Sequence, residues 1–163
     1  MNPAPTLRPL NRDRFDLVAH LRVNPGQVRY SGTVRDAFDE DEDEDGVGFH
    51  AIVLGKRAVG FFKIDRNYPA RYPFANKGDL GLRAFLVDKD QQGRGIATAA
   101  VAAFPAYLPT HYPDAPSLVL SVNRANPAAI ACYLNGGFCD TGEIYLQGSA
   151  GPQQVLRMAL TAR

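Results

Sequence analysis

The sequence predicts a single mixed α/β domain spanning residues 1–163, one sheet crossed by helices. Three observations support this. Strand-like runs flank a helix-like run between Leu82 and Val122, a spacing that requires a crossover. Hairpin signals occur on either side of that unit, at Gly55-Lys56-Arg57 and around Gly148 to Pro152. The chain has 163 residues with no internal repeat and no linker, the length of one domain able to bury a real core.

In chain order, Thr6 to Pro9 reads as a short first strand. Asn11 then reads as a cap, with Phe15, Val18, Ala19 and Arg22 at helical spacing and Asn24-Pro25-Gly26 as the stop. Ser31 or Thr33 caps a second short helix through Ala37 and Phe38, which ends in an acidic run. Val47 to Leu54 and Ala58 to Ile64 form a hairpin. Asp65 to Asp79 is a long loop carrying Tyr68, Tyr72 and Phe74, and loops of that length often carry function. Leu82 to Val87 is the central strand, and a helix opens near Thr98. Pro105 lies inside its apolar pattern and predicts an end or kink there, with Pro109 and Pro113 in a connector. Ser117 to Val122 is an apolar strand. Asn126 as cap and Pro127 at the first helical position begin the last helix, which Gly136-Gly137 ends. Phe138 to Leu146 and Val155 to Leu160 close the chain as a hairpin.

Hydrophobic residues make up 45% and charged residues 21%, the balance of a soluble globular protein. Cys132 and Cys139 fit neither a metal spacing nor a disulfide framework, so no metal is expected and a reducing, cytoplasmic setting is inferred. The first ten residues hold no apolar block of a secretory signal, and no run is long enough to span a bilayer. No basic stripe interleaved with aromatics appears, which argues against nucleic acid. Formal net charge is +1, but Asp39 to Asp45 is an unbroken acidic run of seven. The remaining residues are basic by about +8, suited to an anionic ligand with several phosphates. The acidic run itself reads either as a solvated loop or as an attractor for a cationic substrate or a basic partner.

The most informative segment is Gln92-Gly93-Arg94-Gly95-Ile96-Ala97, between the central strand and its helix. Glycines let the backbone come close to a ligand, and free amides at a helix start point at an anion. Arg94 adds a permanent positive charge. No Lys follows Gly95, so a Walker-type nucleotide loop is unsupported. Thr98 stands where a dinucleotide fold has its third glycine, and the motif comes late in the chain. The segment resembles the pyrophosphate loop of the GCN5-related N-acetyltransferase (GNAT) family, Q/R-x-x-G-x-G/A, filled by Gln92, Gly95 and Ala97. A second run is similar to that family's N-x-x-A-x-x-x-Y-x-x-x-G-F pattern, in register at Asn126, Ala129, Tyr133, Gly137 and Phe138. Read without the family, the same run is a capped helix with Ile130, Tyr133 and Leu134 on its apolar face. The resemblance covers Leu80 to Phe138, and the rest of the chain by element order.

The resemblance implies a mostly antiparallel sheet with one splayed pair of parallel strands, flanking helices, and acetyl-CoA as co-substrate. It implies that the backbone of Phe85, Leu86 and Val87 lies along the coenzyme arm, one amide polarising the thioester carbonyl. Amides from Gln92, Gly93, Arg94, Gly95, Ile96 and Ala97 would hold the pyrophosphate, and Asn126 would touch the arm. Tyr133 would donate a proton to the departing thiolate. The implied reaction is direct attack by a neutral amine in a ternary complex, on a small primary amine. An amine with a pKa near ~10.4 must first lose a proton. Relatives that acetylate protein amino termini often place a Glu where this chain has Ser121. The base is therefore left open among Asp65, Asp79, His50, Glu143 and a water chain, each of those residues having an ordinary structural reading too. Leu82 to Phe85 is similar to bacterial spermidine and spermine acetyltransferases, and the acidic run would suit such a polyamine. A non-catalytic acyl-CoA sensor, an acetyltransferase of protein amino groups and an interaction module recruited through the acidic run stay open as alternatives. Family members often pair as homodimers, and the sequence does not fix the oligomeric state.

Overall fold

The computed structural model describes residues 4–23, 33–40, 45–148 and 151–160. The expected Asn24–Gly26 stop, the Ser31 cap and the middle of the acidic run lie outside the described residues. One sheet of seven strands organises the rest: β1 (Thr6–Leu10), β2 (Val47–Leu54), β3 (Arg57–Asp65), β4 (Leu80–Val87), β5 (Ser117–Asn123), β6 (Cys139–Tyr145) and β7 (Gln153–Ala159). Their spatial order is β1-β2-β3-β4-β5-β7-β6, so the last strand inserts between β5 and the edge strand β6. Every neighbouring pair is antiparallel except β4 with β5. Parallel neighbours need a crossover, and α3 (Ile96–His111) supplies it.

Both faces of the sheet are covered. Strand side chains alternate, so Phe61 and Phe62, both fully buried, enter opposite layers. Phe62, Leu82 and Leu120 pack under α3 and α4 (Pro127–Gly136). Phe61, Phe49 and Leu86 pack under α1 (Val34–Glu40) with Val18 and Leu21. Beyond them α2 (Tyr68–Arg71) sets Tyr68 and Phe74 over Val119 and Val155. Local chemistry explains the helix ends. Thr33 Oγ1 accepts from the Asp36 amide at 3.1 Å while the Asp36 carboxylate accepts from the Thr33 amide, a reciprocal N-cap. The Asn126 side chain accepts from Ala129 N, Pro127 occupies the first turn, and Gly137 closes α4 at φ 120°.

Three expectations from the sequence are corrected. No α-helix spans Asn11 to Arg22; the segment makes i→i+3 bonds around one 3-10 turn at Phe15–Leu17. The reason lies at its ends. The Asn11 carboxamide folds back onto the Asp13 amide, and Arg22 is held by the Asp88 side chain and by a backbone bond from Lys89. Pro105 and Pro109 do not end or interrupt the crossover helix; both lie inside α3. Each removes one intrahelical donor, at about 3 kcal/mol. Burial of Ile96, Val101, Phe104 and Leu108 on the other face, roughly 1.5–3 kcal/mol each, matches or exceeds that cost. Leu134 is not part of the buried face of α4 but 40% exposed, because the helix turns Ala129, Cys132 and Tyr133 inward instead.

The far end of α3 is fastened by a buried histidine. His50 stacks on Phe62, and its ring nitrogens meet the hydroxyls of Tyr107 at 2.7 Å and Tyr112 at 2.9 Å. Burial, and then the neighbouring His111, lower its pKa to about 3. The unfolded chain takes up this proton near ~6.5. The stability that neutral His50 contributes is therefore complete above that pH and is lost as pH falls toward 3. Thermal melts across that window should fall more steeply for the wild type than for His50→Gln. Parallel curves would mean that the histidine is not held neutral.

Candidate functional site

The site begins where β4 and β5 part. Their pairing covers Leu80↔Leu118 and Gly81↔Val119, and no further partners follow. Beyond that point the facing backbone edges diverge and bound a cavity of about 500 Å³. Backbone groups deprived of a strand partner need another one, which makes such a slot receptive to an extended polar ligand. A β-bulge shapes the β4 wall. Phe61 pairs with Leu86 and Lys63 with Arg83, so β4 spends one extra residue opposite Phe62. Ala84 sits in that bulge at φ 53°, the one non-glycine residue with positive φ among those described.

On the α3–α4 side, Phe85 and Val87 of β4, Gln92, Ala97, Asn126, Ala129, Cys132 and Tyr133 contribute to the wall. Gln92 donates to the Val87 carbonyl at 3.0 Å and so ties the glycine loop to the end of β4. Gly95 is the N-cap of α3 at φ 78° and Gly93 has φ 80°, conformations that favour glycine. Gly93 has open space where a side chain would be. The first amides of α3, starting at Ile96, have no intrahelical acceptor by construction. Gly93, Arg94, Gly95 and Ile96 themselves do not line the cavity; they stand at its rim, Arg94 bonded to Gln91 and the Ile96 side chain buried in the core. Tyr133 packs against Phe85 and Phe138. Burial, then Cys132 and Tyr68 nearby, raise its pKa, so its phenol stays protonated and can donate. Cys132 is also raised by burial, partly offset by the Thr98 hydroxyl at 3.8 Å.

The opposite side of the slot is walled by Tyr68, Tyr72, Arg83, Ser121 and Gln153. Tyr68 lies flat on the backbone of Gly81, where any Cβ would overlap its ring. Ser121, on the neighbouring β5, donates to Gln153 Oε1 at 2.6 Å. Burial, with Tyr72 adding, raises the Tyr68 pKa as well. None of the four side chains considered as a base lines the cavity. Asp65 is fully buried and accepts from Arg71 and Arg83, and Asp79 is bound to Arg157 at 2.7 Å. His50 is enclosed at the end of α3, and Glu143 is exposed on β6. Sequence reasoning did not assign Tyr68, Tyr72, Arg83, Cys132 or Gln153 to the site. The aromatic loop was the available signal for the first two; Cys132 follows from Ala129 and Ala128 at helical spacing. Among the described residues, no group of three or more His, Cys, Asp or Glu is placed to hold a metal ion, and no helix is long and apolar enough to cross a membrane.

Comparison with known proteins follows from this geometry. The profile of the Acetyltransferase (GNAT) family matches residues 15–138. The protein named Uncharacterized N-acetyltransferase YbbJ, from Bacillus subtilis (strain 168), is 28% identical over 115 residues, 71% of this chain. The match spans 64% of that relative, less than two-thirds of its length. Among solved structures, AAC(6')-Ib in complex with parmomycin and acetyl-CoA superposes with a TM-score of 0.76 at 19% identity, over 96% of this chain and 93% of that one. Spermidine N-acetyltransferase from Vibrio cholerae, in complex with CoA and spermine, superposes with a TM-score of 0.68 at 17% identity, over 96% of both chains. At such identities the likeness is one of fold. The bulge at Ala84 is testable by substitution. Ala84→Val should destabilise the protein by about 1–3 kcal/mol in urea unfolding, because a β-branched residue resists positive φ, whereas Ala84→Gly should not.

Proposed function

The chain belongs to the acetyltransferase (GNAT) family, and from that premise we propose that it is an acetyl-CoA-dependent N-acetyltransferase acting on a primary amine of a small molecule. The observation that carries the reading is the slot between β4 and β5, with a glycine-capped helix start at one end and a protonated phenol in its wall. Acetyl-CoA supplies the activated acyl group. The residues present fit it: the amides at the start of α3, from Ile96, have no intrahelical acceptor, and the loop Gln92 to Ala97 with its positive-φ glycines lets a pyrophosphate come close to them. The freed edge of Phe85, Leu86 and Val87 offers hydrogen bonds to an extended arm, and Asn126 and Ala129 border it.

In this reading one β4 amide donates to the thioester oxygen as charge builds there. The amine nitrogen approaches from the side of Tyr68 and Ser121, so that both reactants are held together, which removes much of the entropic barrier. The new bond joins nitrogen to the acyl carbon, the carbon–sulfur bond breaks, and the Tyr133 hydroxyl gives its proton toward the sulfur. The proton lost by the amine leaves through water, since no carboxylate or imidazole lines the cavity among the described residues. That same lack favours, as a second reading, a non-catalytic acyl-CoA binder. The polyamine acceptor suggested by the acidic run meets no counter-charge in the described wall. Cys132 and Cys139 are both free thiols, which supports the cytoplasm as the setting.

Acetyl-CoA should raise the melting temperature, by an amount equivalent to about 2.7 kcal/mol at a hundredfold excess over Kd. Gly95→Asp should sharply reduce that effect, through strain at positive φ and repulsion of phosphate. A melting temperature indifferent to millimolar acetyl-CoA removes the co-substrate from the reading. Tyr133→Phe should lower kcat about 100-fold or more while leaving the affinity for acetyl-CoA intact. A thermal response to acetyl-CoA without release of its thiol in the presence of any amine would establish the non-catalytic binder instead.

A further inference from the structure

Arg83 is the one formally charged side chain in the described cavity wall. It stands with Tyr68 and Ser121 in that wall, and Arg71 and Lys63 share its carboxylate partners. Its Nη1 donates to Asp65 Oδ2 at 3.2 Å, an oxygen that Arg71 Nε also reaches at 2.7 Å. The other Asp65 oxygen accepts from the Asn67 amide. One buried carboxylate is therefore shared by two guanidinium groups. Lys63 lies close by, 1% exposed, and among the described residues Glu40 joins the cluster: its Oε1 accepts from Arg83 Nη2 at 3.0 Å and its Oε2 lies 3.7 Å from Lys63.

The two carboxylates that meet Arg83 among the described residues are not equivalent. Asp65 is fully buried and cannot leave without stranding a charge. Glu40 ends α1 and is 62% exposed, so its bridge is a surface pair of small value. An anion entering the cavity meets a 19% exposed arginine whose Nη1 is fixed on Asp65 and whose Nη2 bridge to Glu40 is a displaceable surface pair. The planar fork of arginine matches carboxylate and phosphate oxygens.

We propose that the amine acceptor also carries an acidic group, a carboxylate or phosphate, and that Arg83 selects it by exchanging Glu40 for that group. Asp65 and Arg71 keep Arg83 aimed into the slot during the exchange. This rests on the acetyltransferase reading and names the acceptor class for the same site.

The test compares paired acceptors by thiol release: α-amino acids against their amides, phosphoethanolamine against ethanolamine, and spermidine as a polycation. The anionic member of the preferred pair should have the higher kcat/KM, and the pair that responds tells carboxylate from phosphate. Glu40→Gln should lower KM for the anionic member, with kcat little moved, and widen the preference. Arg83→Gln should shrink the preference about tenfold or more, with Arg83→Lys intermediate. Comparing each pair across variants cancels intrinsic differences in amine reactivity. Should Arg83→Gln not fold, shown by loss of its melting transition, Glu40→Gln alone decides. Equal use of both members by wild type and variants overturns the proposal, as does a preference for spermidine that Glu40→Gln weakens. In both cases turnover persists and the acetyltransferase reading stands. No turnover, together with no thermal response to acetyl-CoA, removes that reading and the proposal with it.

Discussion

Between β4 and β5 the sheet gives up its ladder after Leu80↔Leu118 and Gly81↔Val119, and much of the molecule exists to hold that opening in shape. Leaving strand edges unpaired in a domain interior costs free energy unless something bridges them. Here packing on both faces supports the gap. On one side α3 and α4 lie over Leu82, Leu120 and Val122 and keep the two strands at a fixed spread. On the other, Tyr68 lies against the backbone of Gly81 and packs with Val119 of β5, while Ser121 is tied to Gln153 of β7. The insertion of β7 beside β5 matters for this reason: it gives β5 a full ladder on its outer edge, so β5 can afford to lose one on its inner edge.

Chemistry is distributed across the gap by kind. The α3–α4 side presents backbone amides, small side chains and one protonated phenol, suited to a long ligand recognised mainly by main-chain groups. The opposite side presents hydroxyls, an amide and a single guanidinium, suited to a smaller and more particular ligand. The guanidinium owes its orientation to a buried carboxylate below it. The acidic run that dominates the charge pattern of the sequence touches this arrangement through Glu40.

Much of this was legible in the residues. The glycine loop, the Asn126–Pro127 helix start and the Gly137 stop each depend on backbone geometry that only certain residue types accept, so they could be read locally. The hairpin of β2 and β3 and the apolar run of β5 were equally plain. What failed was whatever depends on distant partners. The segment after Asn11 has helical spacing, yet its Arg22 end is held by Asp88, 66 residues on, and by Lys89 beside it. Pro105 and Pro109 read as breakers because nothing local reveals how much apolar surface the other face of α3 buries. The amine side of the slot was largely invisible for the same reason. Tyr68, Arg83 and Gln153 come from α2, β4 and β7, and no motif joins them.

The extra residue in β4 has a consequence for handedness of exposure along that strand. Positions 83 and 85 should share a face in a regular strand, since side chains repeat every second residue. Instead Arg83 goes with Asp65 and Glu40, while Phe85 packs with Phe104 and Tyr133 on the far layer. The alternation changes phase at Ala84, and Leu86 resumes on the Arg83 face. A strand of ordinary pleat would send the guanidinium and the phenyl ring into the same compartment, so the division of the slot into two chemically different rooms is a matter of counting residues as much as of choosing them.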